Sequence, residues 1–135
     1  GPDFNPIPGA EGWQLSNPPI LSMAAIRASL EIFIEAGMEK LHSKSIKLTG
    51  YLEYLIKQIP SEEIELITPA DSNQRGCQLS IRVKNADKKL FDEITSKGVI
   101  ADWREPDVIR VAPVPLYNTY QDVYRFVTIL SDTIK

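Results

Sequence analysis

The sequence predicts an α+β fold, in which a small and mostly antiparallel sheet of about four strands is covered by helices on one face. Apolar residues recur every three or four positions in several segments, which is the helical period. They alternate with polar residues in Cys77–Val83, and two short apolar runs flank a polar turn at Arg104–Asp107, which predicts a hairpin. The 135 residues, 43% of them hydrophobic, suffice for one domain with a core.

The N-terminal part is predicted to divide into a connector and a helix. Residues 1–18 are proline-rich and predicted to be an extended connector, whereas residues 19–135 are predicted to form the domain. Gly1-Pro2 is expected to be a protease-cleavage scar or an internal boundary. Residues 19–36 predict a helix that is apolar nearly all round. Such a helix needs burial on most sides. We therefore expect it to be central in a two-layer fold or to meet more chain or another subunit.

Gly37 is expected to end or bend this helix, and a second amphipathic helix is predicted from there to Ile59, before Pro60. Gly50 lies inside the second helix, where glycine costs about 1 kcal/mol relative to alanine. That cost predicts a close approach of another backbone at Gly50.

The C-terminal part is predicted to alternate strands and helices. Thr119 and Asp122 have the spacing of a capping box that opens the last helix. The last helix has an apolar face of regular spacing. The predicted strands are 63–68, 77–83, 99–103 and 108–111, and the short helix is 86–97.

Composition excludes several classes of function. The net charge of −3 does not suggest a nucleic-acid partner or an anionic membrane surface, and no apolar run is long enough to span a membrane. No secretory signal is visible. Cys77 is the only cysteine, which indicates a reducing, cytoplasmic setting. With His42 as the only histidine, no metal site is predicted. His42 is expected at the surface and Cys77 as a small core residue.

Arg110 is the first candidate site residue, in a strand that leads into a proline-punctuated loop within Ile109–Asn118. The commoner role for such an arginine is a solvated side chain or a cross-strand partner of Asp102 or Asp107. A guanidinium on stiff backbone is also suited to gripping a carboxylate or phosphate through two parallel hydrogen bonds. Both roles remain open on the residues alone.

Asn17 is the second candidate, in the run Ser16-Asn17-Pro18-Pro19. Serine and asparagine often cap helices. The prolines, however, predict that Pro18 takes the N-cap position and Pro19 the first helical one. Asn17 would then be extended, with its amide available for a ligand. Helix capping and ligand contact are equally favoured.

Three segments closely resemble the C-terminal part of kynureninase, a family of fold-type-I pyridoxal-phosphate enzymes. The resemblance covers essentially the whole chain, and SNPPI together with IRVAPVPLYN is specific to the family. The segments are GAEGWQLSNPPI (9–20), RGCQLSI (75–81) and ADWREPDVIRVAPVPLYNTYQDVYRF (101–126).

The resemblance implies a function that the residues alone do not. The family hydrolyses kynurenine, or its 3-hydroxy form, to anthranilate, or 3-hydroxyanthranilate, and L-alanine. Its cofactor, pyridoxal phosphate, is held by a lysine and acts as an electron sink. By resemblance, Arg110 would bind the α-carboxylate of the substrate, and Asn17 would contact the cofactor or substrate. The family works as a homodimer, which would fit the apolar first helix.

The chain departs from the family pattern in its lysines, because none lies in a matching cofactor motif. We therefore interpret the chain as the C-terminal small domain of a longer kynureninase, with the remainder of that chain as its partner. No catalytic residue is predicted within it, and we expect it to be inactive alone. The alternatives are a domain of another fold-type-I enzyme and a stand-alone module that binds an amino acid.

Overall fold

The computed structural model describes residues 3–134 of the chain. Gly1, Pro2 and Lys135 lie outside the described residues, as does the expected scar or boundary at Gly1-Pro2. The chain forms two compact units, residues 1–37 and 38–135. The domain boundary expected after residue 18 stays a prediction.

The first unit contains a short 3-10 turn, Ala10–Trp13, and helix α1, Ile20–Ala36. Pro19 is the N-cap, with ψ of 86°, so the prediction that it is the first helical residue is wrong by one position. An N-cap residue only has to supply its carbonyl, and the carbonyl of Pro19 accepts from the backbone N–H of Met23 at 2.9 Å. Gly37 ends α1 as predicted, at a φ of +80° that suits glycine.

Helix α1 has no buried residue. Its large apolar side chains are largely exposed, among them Leu21 at 88% and Ile34 at 79%. The first unit by itself therefore does not bury the apolar surface of α1. Of the two expectations, contact with further chain or another subunit is the one that this exposure favours.

The second unit confirms the α+β prediction. Its elements are α2 Met38–Lys57, β1 Ile64–Leu66, β2 Leu79–Val83, α3 Lys88–Ser96, β3 Asp102–Arg104, β4 Val108–Val111 and α4 Tyr120–Ile134. The four strands form one antiparallel sheet in the order β1-β2-β4-β3. β3 begins at Asp102 rather than at residue 99, because the backbone N–H of Val99 still donates to the carbonyl of Ile94 in α3.

The core lies on one face of the sheet. Buried and half-buried residues alternate along β2, as predicted, and also along β4. Ile81 and Ile109 face each other across this pair and are fully buried. Leu48 of α2, Ile94 of α3 and Leu130 of α4 complete one continuous apolar cluster with them. Helices therefore cover this face, and the polar side chains of β2, β3 and β4 occupy the other.

The close approach predicted at Gly50 is wrong, because a Cβ built there meets no atom within 4 Å. Gly50 has no positive φ and lies inside α2. We therefore expect Gly50→Ala to stabilise the protein by about 0.5 to 1 kcal/mol, since alanine has the higher helix propensity. Urea denaturation followed by circular dichroism measures this change. A loss of stability would mean that Gly50 has a packing role.

The predicted capping box at the start of α4 is present. Asp122 Oδ2 accepts from the backbone N–H of Thr119 at 2.7 Å, and Thr119 Oγ1 accepts from the backbone N–H of Asp122 at 3.2 Å. These interactions, first the backbone hydrogen bond from Thr119, lower the pKa of Asp122 below its ordinary value. The carboxylate therefore stabilises the fold above a pH of about 3.9, and this contribution is lost as the pH falls through the lower pKa of the folded state.

Asp122→Ala is accordingly expected to lower the melting temperature at neutral pH. The difference from wild type should shrink as the pH falls below the ordinary carboxyl pKa. Thermal melts across an acid pH series measure it, with Gln121→Ala in the same helical turn as the control. A difference that does not change with pH would contradict this role for the Asp122 charge.

Candidate functional site

Arg110 lies in β4, between β2 and β3. In the sheet register it faces Ser80 on one side and Asp102 on the other. Its neighbours Ile109 and Val111 are buried in the core. The strand alternation therefore places Arg110 on the polar face of the sheet, where its side chain is 32% exposed.

The carboxylate of Asp102 binds one edge of the Arg110 guanidinium, the edge formed by Nε and Nη2. Nε of Arg110 donates to Asp102 Oδ2 at 2.6 Å, and Nη2 contacts the same oxygen. Nε of Arg104 donates to this oxygen as well, at 3.0 Å. The hydrogen bond from Arg110 is the main cause that lowers the pKa of Asp102, so the carboxylate is ionised at neutral pH.

Arg110 and Asp102 thus form the cross-strand pair that the sequence predicts as one of the two roles of Arg110. Asp107, the other partner considered, pairs with Nε of Arg82 at 3.5 Å instead. Within residues 3–134, Nη1 of Arg110 has no hydrogen-bond or ion-pair partner. The guanidinium is thereby fixed along one edge, while its terminal edge has donors for a second anion.

The loop that follows Arg110 is held at several points. Asn118 closes it, because its side-chain oxygen accepts from the backbone N–H of Val114 and its own backbone N–H donates to the Val114 carbonyl, each at 2.8 Å. Nζ of Lys44, from α2, donates to the carbonyl of Pro115 at 2.7 Å. Pro113 is buried. The stiffness predicted from the prolines therefore has further causes in Lys44 and Asn118.

Asn17 lies in the first unit, in the exposed irregular segment before α1. No side chain caps the N-terminus of α1, so the capping alternative for Ser16 and Asn17 is wrong. The two predicted site residues belong to different units, Asn17 to the first and Arg110 to the second. The ligand role of Asn17 stays a prediction.

The remaining candidates do not form a reactive cluster. His42 is exposed, as expected, and Cys77 is half-buried rather than a full core residue. Among the residues that the structure describes, no group of histidine, cysteine and acidic side chains is placed to hold a metal ion. Within residues 3–134, no helix is long and apolar enough to cross a membrane.

Sequence reasoning missed a buried ion pair of Arg75 with Glu53. Nη1 of Arg75 lies 2.6 Å from Glu53 Oε2 and donates to the carbonyl of Pro69 at 3.2 Å. The two side chains are only 5% and 13% exposed. Hydrogen bonds from Lys57 and then from Arg75 lower the pKa of Glu53. Arg75 lies in a polar turn, whose composition predicts that the side chain is exposed to solvent. No sequence pattern around it therefore indicates that it is buried.

Comparison with known proteins gives the family. A protein-family model described as "Kynureninase C-terminal domain" matches residues 41–130. The chain belongs to the kynureninase family. This match includes the whole sheet and most of α2 and α4.

Individual kynureninases are similar to nearly the whole chain. The kynureninase of Koribacter versatilis is 59% identical over 127 residues, or 94% of this chain. The kynureninases of Myxococcus xanthus and Xanthomonas campestris (strain B100) are 54% and 56% identical over 96% and 93% of it. The chain spans about 30% of the length of each of these relatives.

Proposed function

We propose that this chain is the C-terminal substrate-binding part of a kynureninase. The full-length protein would hydrolyse L-kynurenine, or its 3-hydroxy form, to anthranilate, or 3-hydroxyanthranilate, and L-alanine. Arg110 carries the proposal, because a half-exposed guanidinium fixed along one edge has its terminal donors available for a carboxylate. The substrate contributes that group as its α-carboxylate. The names of the similar proteins support the choice of reaction.

Asn17 is proposed to contact the cofactor or the substrate. Its short amide side chain can donate and accept hydrogen bonds, and it lies in an exposed segment of the first unit. The side chain of Asn17 does not cap α1, so capping does not compete with this proposed contact.

Pyridoxal phosphate is the cofactor that the family implies, and the described residues do not by themselves fit it. Of the lysines in residues 3–134, all but Lys44 are exposed, and Lys44 donates to the Pro115 carbonyl. We therefore propose that the lysine that anchors the cofactor belongs to the rest of the full-length enzyme. This chain would supply groups that bind and orient the substrate.

The remaining proposals concern assembly and location. The unburied apolar surface of α1 supports an interface with the rest of the enzyme chain or with a second copy in a homodimer. A single cysteine, which is half-buried and free, supports a reducing cytoplasmic setting.

The reaction itself is testable by anthranilate fluorescence. We expect the full-length protein, supplied with pyridoxal phosphate and L-kynurenine, to release anthranilate. We expect the 135-residue chain alone to release none under the same conditions. Turnover by the isolated chain would refute the proposal that the cofactor-anchoring lysine lies in the rest of the enzyme. If a folded, cofactor-loaded full-length protein released no anthranilate, the proposed reaction would be refuted.

A further inference from the structure

We infer that Asp102 is a positioning residue, which orients Arg110 for a ligand carboxylate and leaves the terminal edge of the guanidinium to bind it. This inference rests on the proposed function of Arg110 and adds Asp102 to the same site. Asp102 itself would not contact the ligand.

The geometry of the pair supports this role. Asp102 lies directly opposite Arg110 in the β3–β4 register, so the backbone ladder sets the distance between them. One carboxylate oxygen, Oδ2, meets both Nε and Nη2 of Arg110. These two nitrogens form the side edge of the planar guanidinium. A second carboxylate would therefore bind along the end edge, through Nη1 and Nη2.

Arg104 keeps Asp102 in this orientation. Its Nε donates to the same Oδ2 at 3.0 Å, from two residues along β3. The three side chains carry a net charge of +1, because one carboxylate lies between two guanidiniums. The cluster therefore still attracts an anion, although Arg110 already has an acidic partner.

An arginine side chain has several rotatable bonds and loses considerable entropy when it is fixed. Fixing it in advance reduces the cost of binding. Without Asp102, Arg110 would sample other rotamers and bind the carboxylate less often in the right orientation. The expected effect is on substrate affinity rather than on the chemical step.

The test uses the full-length enzyme. Asp102→Ala is expected to raise KM for L-kynurenine roughly tenfold while kcat changes less than about twofold. Asp102→Asn retains one acceptor oxygen, so its KM should rise less than that of Asp102→Ala. The matched control is Glu65→Ala, because Glu65 pairs with Arg82 on β2 and its side chain is 49% exposed, against 47% for Asp102.

The outcomes separate this inference from the proposed function. If KM in Asp102→Ala stays at the control value while Arg110→Ala is impaired, the positioning role is wrong and the proposed function stands. If Arg110→Ala itself has no effect, the proposed function fails first. Should Asp102→Ala not fold, Asp102→Asn is judged on KM in the same way: a value equal to that of Glu65→Ala refutes the inference.

Discussion

Arg110→Ala in the full-length enzyme is expected to lower kcat/KM for L-kynurenine about a hundredfold to a thousandfold, or roughly 3 to 4 kcal/mol. The variant removes both terminal donors that would bind the substrate α-carboxylate. It also leaves Asp102 facing the site without its main partner, since both Nε and Nη2 of Arg110 contact it. Asp102 would keep only Arg104 as a partner, and its less fully compensated charge would repel the carboxylate of the substrate.

Two further variants make this result specific. Arg110→Lys keeps the charge but loses the forked geometry, so its kcat/KM should lie between those of wild type and Arg110→Ala. Arg82→Ala is the control, because Arg82 lies on the adjacent strand β2 and pairs with Glu65 and Asp107. Equal activity of Arg110→Ala and Arg82→Ala would exclude Arg110 from the site.

Arg75→Ala is expected to have the largest effect on stability, about 2 to 3 kcal/mol. The change leaves the carboxylate of Glu53 largely buried with only Lys57 as its partner. It also removes the link from α2 to the Pro69 carbonyl, in the segment that leads to β2. Urea denaturation measures the loss.

The double variant Glu53→Gln/Arg75→Ala should recover part of this stability, because no uncompensated buried charge remains. Arg27→Ala, in an exposed pair with Glu31, should change stability by less than about 1 kcal/mol. If Arg75→Ala were as mild as Arg27→Ala, the buried pair would have no structural role.

Local patterns were sufficient to predict most of the second unit. The alternation in β2, the hairpin of β3 and β4, and the Thr119–Asp122 capping box depend on residues close in sequence. Prediction was weaker where the cause is distant. The interaction of Lys44 with Pro115 spans 71 positions and that of Arg75 with Glu53 spans 22, and no local spacing indicates either.

Gly50 and Pro19 were mispredicted for other reasons. A glycine inside a helix signals close packing only when a neighbour is present, and α2 has none at that point. A proline after a proline is compatible with either the N-cap or the first helical position, and the ψ of Pro19 selects the N-cap. For Arg110, the sequence identified the residue and offered Asp102 as a partner, but it could not choose between a structural pair and a ligand clamp.

A crystal structure of the full-length protein with pyridoxal phosphate and the product L-alanine would test the central claim most directly. We predict that the two terminal nitrogens of Arg110 lie within about 3 Å of the α-carboxylate oxygens, while Nε remains bonded to Asp102. A structure in which other residues hold this carboxylate, and Arg110 contacts only Asp102, would contradict the claim.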